Sequence, residues 1–419
     1  MEKFDSILQK TKEASLDVQL LSNKVKNSIL RDLCSALIFS TKKILQANAR
    51  DFSRLSTSYP HADRLKLTAE RIKGMVDSIK AVEKLPDPIG RVIDQRVLKN
   101  GLKIERRTVP LGVIGIIYEA RPNVTVEIFS LTIKSGNVVV LKGGRDAYET
   151  NKVLVNLIHQ VLRKHGINKS AVTMLDPFRL NLTDKLLKAN QYLDIIIPRG
   201  SYELIKYVRQ NSTLPLIETG AGVCHIYVES SAKLDWAVRT VLNAKTRRVS
   251  VCNALDTLVI DNKVADKFFK IISPKLAEAG VKIYADQTSY KILHRKYPIN
   301  LLYHAKSSDY GREFLSLAMS VKVVNNANEG LAHIQNYTSH HSEGIITSNK
   351  KIATKFQQTI DAAAVYVNTS IAFTDGYEFG LGGEIGISTQ KLHARGPMAL
   401  QELTTYKWLI QSQGAVRPR

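Results

Sequence analysis

The sequence predicts an α/β fold with largely parallel sheets, divided into more than one domain. Three features lead there. From residue 112 onward, short runs rich in Val, Ile and Leu alternate with helical segments, the order expected of parallel strands joined by helical crossovers. Polar or glycine-rich turns follow several of those runs, at the strand ends where open α/β sheets bind ligands. A chain of 419 residues is also long enough for two or three domains, each with a core of ordinary size.

The elements follow in chain order. Residues 20–47 predict one long amphipathic helix, because Val25, Ile29, Leu30, Leu33, Leu37, Ile44 and Leu45 recur at helical spacing between Lys24, Lys26, Arg31 and Lys42. Asn100-Gly101 lies between two alternating segments and predicts a two-residue hairpin. A hairpin this polar suits an arm reaching towards another subunit. Buried strands are expected over 112–117, 137–141, 193–197, 225–228 and 255–260, then over 281–284, 321–324, 344–347 and 363–367. Those within 112–228 are assigned to one sheet and those within 255–367 to a second.

Composition narrows the function classes. With 44% hydrophobic and 23% charged residues, the chain is an ordinary globular protein. Cys34, Cys224 and Cys252 are far apart and form no C-x-x-C pair, so neither a zinc ribbon nor a disulfide framework is expected, and a reducing cytoplasm fits best. No apolar stretch approaches the length of a membrane span, and the start Met1-Glu2-Lys3-Phe4-Asp5 lacks the basic-then-apolar order of a signal peptide. The net charge of +22 raises a nucleic-acid reading. Its lysines and arginines are spread along the whole chain without aromatic interleaving, so no nucleic-acid partner is expected. A general positive field still draws in anionic substrates.

Cys252 is the most informative residue. It ends the stretch Asn243-Ala244-Lys245-Thr246-Arg247-Arg248-Val249-Ser250-Val251-Cys252, and nearby cations lower a thiol pKa from about 8.5 towards neutrality. Such a thiolate suits attack on an electrophilic carbon. A buried structural cysteine is the commoner fate of the residue type, and this segment alone leaves both open. Three turns at strand ends are candidate ligand sites. Lys142-Gly143-Gly144-Arg145 allows close approach of a ligand to the backbone. Pro198-Arg199-Gly200-Ser201 leads into a helix whose first N–H groups suit a phosphate. In Tyr118-Glu119-Ala120-Arg121-Pro122-Asn123, Arg121 can bind a phosphate or carboxylate through its guanidinium fork, or simply pair with Glu119. No complete G-x-G-x-x-G, Walker loop or H-E-x-x-H occurs. His340-His341 has no carboxylates spaced to complete a metal site, so no metal is expected.

In this order the segments resemble the γ-glutamyl phosphate reductase family, a branch of the aldehyde dehydrogenase superfamily. The resemblance rests on Val109-Pro110-Leu111-Gly112-Val113-Ile114-Gly115, on Tyr118 to Thr125, on Lys142-Gly143-Gly144 and on Gly222-Val223-Cys224-His225-Ile226-Tyr227-Val228. It rests further on Asn243-Ala244-Lys245-Thr246 leading to Cys252-Asn253, on Gly386 to Pro397 and on Leu403-Thr404-Thr405-Tyr406-Lys407-Trp408. Three positions depart from the family: Gly330 stands for Ala, Thr338 for a small Gly or Ser, and Arg247 for Gln.

The resemblance implies an aldehyde dehydrogenase-like architecture. A Rossmann-like NADPH-binding domain would span 1–92 and 111–228, an α/β catalytic domain 229–395, and a small β oligomerisation arm 93–110 with 396–419. The implied reaction is NADPH-dependent reduction of L-glutamyl 5-phosphate to L-glutamate 5-semialdehyde and phosphate, in proline biosynthesis, through a thioester on Cys252. Arg121 and Asn123 would serve the oxyanion or substrate phosphate, together with the Cys252 amide. Lys142, Gly143, Gly200, Ser201 and Glu313 would contact the cofactor, and Lys245, Arg248 and Arg395 are the candidates for the substrate α-carboxylate. Glu218 matches the general base of hydrolytic aldehyde dehydrogenases, or else lies beside the nicotinamide, so a hydrolytic enzyme is the alternative. A homo-oligomer is implied, and hand-over of a labile acyl phosphate within a complex with glutamate 5-kinase is a further expectation.

Overall fold

The computed structural model describes residues 4–55, 62–119 and 121–417. The chain divides into two compact units: Met1–Thr219 with Phe379–Gly386 and Pro397–Arg419, and Gly220–Glu378 with Ile387–Gly396.

The first unit opens with helices that pack by their apolar faces. The helix expected over 20–47 is two helices, Asn23–Phe39 and Thr41–Phe52, that meet at Ser40. The Thr41 hydroxyl bonds the carbonyls of Leu37 and Ile38, and such side-chain bonds compete with the helical ladder. The break leaves Ile29, Leu30, Leu33, Leu37 and Ile44 buried as the spacing requires.

Strands β1 (Val92–Val97) and β2 (Lys103–Pro110) form the expected hairpin. Its connection is longer than two residues: Leu98 N–H donates to Leu102 O at 2.8 Å, leaving Lys99, Asn100 and Gly101 in the loop. Gly101 has φ +83°, the left-handed residue of a three-residue hairpin. The C-terminal strand Thr404–Gln411 pairs antiparallel with β2, so the hairpin and the tail form one three-stranded sheet.

The central sheet of this unit comprises β3 (Val113–Tyr118), β4 (Val138–Lys142), β5 (Val172–Met174) and β6 (Ile195–Arg199). Its order is β5-β4-β3-β6, all parallel. β3 feeds β4 on one side, while β6 adds on the other. That reversal makes the carboxyl ends of β3 and β6 the topological switch point, where such sheets leave a crevice.

The second unit is a parallel sheet of seven strands: β7 (Cys224–Val228), β8 (Leu255–Asp261), β9 (Lys282–Ala285), β10 (Leu302–His304), β11 (Ala318–Val324), β12 (Ser342–Ile346) and β13 (Ala364–Val367). Their order is β10-β9-β11-β8-β7-β12-β13. Alternate residues serve opposite faces. Ile226, Leu258 and Ile260 join the cluster under the helices Leu234–Thr246 and Asn262–Glu278, whereas Tyr227, Val259 and Ile345 pack with Leu331, Ile334 and Phe356. The strand expected at 225–228 in the first sheet is therefore β7, at the heart of the second, and the sheet boundary falls before it. An apolar run buried on both faces reads alike in either sheet.

Two departures from the family pattern have local reasons. A Cβ on Gly330 would lie 2.9 Å from the Tyr227 ring, so glycine makes room for that tyrosine. Thr338 donates its hydroxyl to the buried carboxylate of Glu343 at 2.5 Å. Arg247 is exposed.

Candidate active site

In the first unit the residues expected at the cofactor lie on the carboxyl edge of one sheet. Lys142 ends β4, is nearly buried, and donates to the Pro177 carbonyl at 3.1 Å. Burial pulls its pKa down; Asp176 opposes this and Arg145 adds to it. Gly143 is required by the protein itself, since a Cβ there would sit 3.0 Å from Asn151 Nδ2 and 3.2 Å from the Tyr118 hydroxyl.

At the switch point Ser201 caps the helix Tyr202–Asn211, its hydroxyl accepting from Leu204 N–H. The Glu119 carboxylate, from the end of β3, accepts the Ser201 N–H at 2.7 Å and faces the Ser201 hydroxyl at 3.3 Å. A Cβ on Gly200 would come within 2.4 Å of Glu119 Oε2. The helix end thus holds an anion, the Glu119 carboxylate, against Ser201 N–H and the bare Gly200 backbone, an arrangement that fits the diphosphate of a dinucleotide. Sequence reasoning assigned Gly200 and Ser201 but not Glu119, which lies 82 positions from Ser201.

Arg121 stands as the N-cap of the helix Pro122–Lys134. Asn123, in the first turn, donates to Glu127 Oε1 at 2.8 Å. Glu218 is held by Arg209 through both carboxylate oxygens, Nε to Oε1 at 2.7 Å and Nη2 to Oε2. A carboxylate gripped by a guanidinium fork has its lone pairs engaged and is a poor base for a water.

In the second unit Cys252 lies in the loop between the helix Leu234–Thr246 and β8, at the amino ends of the central strands. It is partly exposed, whereas Cys34 and Cys224 are buried. Burial pushes the Cys34 thiol up to about 11 and also raises the Cys224 thiol well above its ordinary value. Both are therefore neutral near pH 7, and only Cys252 combines access with a cationic loop.

The loop is pinned from beneath. Cys224 Sγ donates to the Cys252 carbonyl at 3.2 Å. Asn253 spends its amide N–H groups on the carbonyls of Ala372 (3.1 Å) and Thr374 (3.0 Å). Gly222 passes so close that a Cβ would lie 1.7 Å from the Cys252 carbonyl oxygen, and its N–H donates to Glu313 Oε1 at 3.1 Å. Glu313 therefore stands beside the segment that seats the cysteine.

The substrate-facing cations separate. Lys245 is a correction: it is fully buried, with its ammonium on the Leu255 carbonyl at 2.7 Å. Burial lowers its pKa and raises that of buried Asp256, while the attraction between the two opposes both effects. Lys245 is part of the support under the loop and does not face a substrate. Arg395 pairs with Asp361 at 2.6 Å, a carboxylate also met by Lys391 at 3.0 Å. Arg248 is exposed on the Cys252 loop itself. Among the described residues no group of three or more His, Cys, Asp or Glu could hold a metal, and no helix is long and apolar enough to cross a membrane.

A partly exposed cysteine on a loop ahead of a parallel strand, and a separate parallel sheet with helix N-termini at its switch point, are the features of an aldehyde dehydrogenase-like fold. The aldehyde dehydrogenase family model matches residues 2–289. The gamma-glutamyl phosphate reductase of Pelodictyon phaeoclathratiforme is 49% identical over 406 residues, covering 97% of each chain. The crystal structure of gamma-glutamyl phosphate reductase from Thermotoga maritima superposes with a TM-score of 0.93 at 41% identity, over 98% of this chain and 99% of that one. An engineered glycolyl-CoA reductase with bound NADP+ shares the fold, with a TM-score of 0.69 at 15% identity over 98% and 97% of the two chains. The chain belongs to the γ-glutamyl phosphate reductase family.

Proposed function

We propose that this protein reduces L-glutamyl 5-phosphate to L-glutamate 5-semialdehyde with release of phosphate, a step of proline biosynthesis, using NADPH and a thioester on Cys252. The observation that supports it most is the contrast among the cysteines: Cys252 alone is partly exposed, on a pinned loop with Arg247 and Arg248 beside it. Its thiolate attacks the acyl phosphate carbon, forming a C–S bond; the tetrahedral oxyanion then collapses and phosphate leaves with the C–O bonding pair. Arg121, Asn123 and the Cys252 amide are the donors proposed for the oxyanion and phosphate, with Arg248 available to the anionic substrate.

The cradle formed by Gly200 and Ser201 would hold the cofactor diphosphate, Lys142 and Gly143 the adenosine side, and Glu313 the nicotinamide ribose. Bound NADPH supplies the hydride that brings the thioester carbonyl to the aldehyde level. The bidentate grip of Arg209 on Glu218 speaks against Glu218 as a hydrolytic base, which leaves the thioester to phosphate chemistry. The sheet of β1, β2 and the C-terminal strand serves as the oligomerisation arm, a role supported by exposed Val97, Trp408 and Ile410 on strands that natural proteins rarely leave uncovered.

The reverse reaction tests this: NADP reduction with glutamate 5-semialdehyde, with and without phosphate, for the parent protein and Cys252→Ala. Strict phosphate dependence that disappears in the variant is expected. Reduction without phosphate would reassign the protein as a hydrolytic dehydrogenase, and activity surviving in Cys252→Ala would mean the nucleophile is another residue.

A further inference from the structure

The amino end of β7 is held by carboxylates as well as by its neighbours in the sheet. The register with β8 shifts between Cys224 and His225. There the His225 N–H donates to Glu343 Oε2 at 2.8 Å, and the Cys224 N–H donates to the carboxylate of Asp256. Asp256 is the second residue of β8 and is 1% exposed. A polar group buried so deeply is costly unless its oxygens are bonded, so the use of those bonds is informative.

The other donor to Asp256 is the Phe314 N–H, which meets Oδ1 at 2.9 Å. This bond falls where the backbone needs holding. The next residue, Leu315, has φ +49°, a left-handed conformation that a non-glycine residue keeps only where its surroundings fix it. The Phe314 ring is fixed too: it is nearly buried, stacked on Tyr284 at 5.4 Å between centroids, with the Arg312 guanidinium 5.0 Å above it. Glu313 precedes Phe314, and its Oε1 accepts the Gly222 N–H at 3.1 Å.

These bonds close a ring within the second unit. Asp256 ties Phe314 to Cys224, and Glu313 ties the same segment back to Gly222. Gly222 and Cys224 both bear on the Cys252 carbonyl, one by an approach that admits no Cβ and the other through its thiol at 3.2 Å. A movement of Glu313 is therefore felt at the cysteine loop, and the reverse.

We propose that Asp256 is a positioning residue that ties Glu313 and the Cys252 loop together, so that the carboxylate assigned to the nicotinamide ribose and the nucleophile keep one fixed spacing. The inference rests on the function proposed above, in which Glu313 meets the cofactor. Asp256 itself touches neither cofactor nor substrate; it acts through the two backbone N–H groups it accepts.

NADPH binding, followed by fluorescence titration, tests the tie without turnover. Asp256→Ala removes both acceptors and should raise Kd about 10-fold, the scale of leaving a buried N–H unpaired. Asp256→Asn keeps one acceptor oxygen and should lose less. In a Glu313→Gln background, itself weaker in binding, Asp256→Ala should add less than about 2-fold, because its effect passes through Glu313. In phosphate-dependent NADP reduction its kcat should fall further than Kd rises, by about 10²-fold for a displacement of an ångström, with KM for phosphate unchanged. Independent losses in the double variant, or an unchanged Kd in Asp256→Ala, overturn the proposal. Should Asp256→Ala fail to fold, hydrogen exchange on the parent protein decides. NADPH should then slow the amides of Gly222, Cys224 and Phe314 together, and protection of Phe314 without Cys224 overturns the tie. A parent protein that binds NADPH yet shows no phosphate-dependent NADP reduction with glutamate 5-semialdehyde overturns the function and leaves the binding cycle standing.

Discussion

The two sheets place their chemistry at opposite ends. In the first unit Glu119, Lys142, Gly200 and Ser201 leave the carboxyl ends of β3, β4 and β6, whereas in the second Cys224, Cys252 and Ser342 gather at the amino ends of β7, β8 and β12. At a carboxyl end the next helix begins, and its unpaired N–H groups favour an anion; Glu119 on Ser201 N–H shows the effect. At an amino end the preceding helix finishes, here at Thr246, and a helix C-terminus offers carbonyls and no N–H donors. Under the proposed function, negative charge at Cys252 is met by side chains, and exposed Arg247 and Arg248 stand on the same loop. The first unit offers backbone donors at its strand ends, whereas the second offers exposed cations on the Cys252 loop.

This contrast predicts that damage in the two units separates kinetically. The largest effect is the loss of the nucleophile: Cys252→Ala should lower kcat by more than about 10³-fold and leave NADPH binding, measured by fluorescence titration, intact. Next comes Gly222→Ala, whose methyl would press on the Cys252 carbonyl backbone. A displacement of the loop by an ångström costs about 10²-fold in rate. The expected signature is a fall in kcat with KM for NADPH unchanged; an unchanged kcat would show the loop is not held by Gly222.

In the first unit the matching substitution is Gly200→Ala, where the methyl meets the flexible end of Glu119 and fills the cradle. KM for NADPH should rise about 10-fold with kcat nearly unchanged, the scale of one or two charge-assisted bonds. Glu119→Gln should act in the opposite direction. Removing a carboxylate that competes for the Ser201 N–H tightens NADPH binding several-fold, most at low salt. If both substitutions weaken binding, Glu119 is part of the cofactor site and not its competitor.

How far the sequence foretold these features depends on the range of the interaction. β8 is buried along its whole length, so its apolar run reads as a parallel strand without further information. Gly101 at the hairpin, Ser201 at its helix and Cys252 ahead of β8 are likewise local. The break at Ser40 depends on which way the Thr41 hydroxyl turns, and β5 and β10 are too short, at three residues each, to show periodicity. Glu119 on Ser201 and the burial of Lys245 against Asp256 join residues through the fold. A lysine at the end of a helix leading into a cationic loop reads as exposed until its bond to the Leu255 carbonyl and its full burial are seen. The resemblance to a family singled out Cys252, but it carried no information about which nearby cations turn inward.

The smallest effect concerns stability, and it tests whether the polar interior under Cys252 belongs to the second unit alone. His341 is fully buried; its Nδ1 lies 2.8 Å from Ser342 Oγ and 3.8 Å from Cys224 Sγ, while Nε2 has no partner. Burial brings its pKa down from 6.5 to about 4. Because the folded value is depressed, its contribution to stability is complete above pH 6.5 and is lost as the pH falls towards 4. Asp256, raised by burial, works the other way over the same range, since the folded state keeps its proton while the unfolded chain releases it. The parent protein should therefore show a shallow pH profile, and the histidine emerges only by difference. Relative to the parent, His341→Asn should gain about 1 kcal/mol in unfolding free energy on going from about pH 6.5 to about pH 5.5, measured by urea denaturation at each pH. Hydrogen exchange should place that gain in β7 and β12 and leave β3 and β4 unmoved. A parallel shift at both pH values would mean that His341 titrates alike in the folded and unfolded chains, and a gain shared by β3 and β4 would mean that the two units unfold as one.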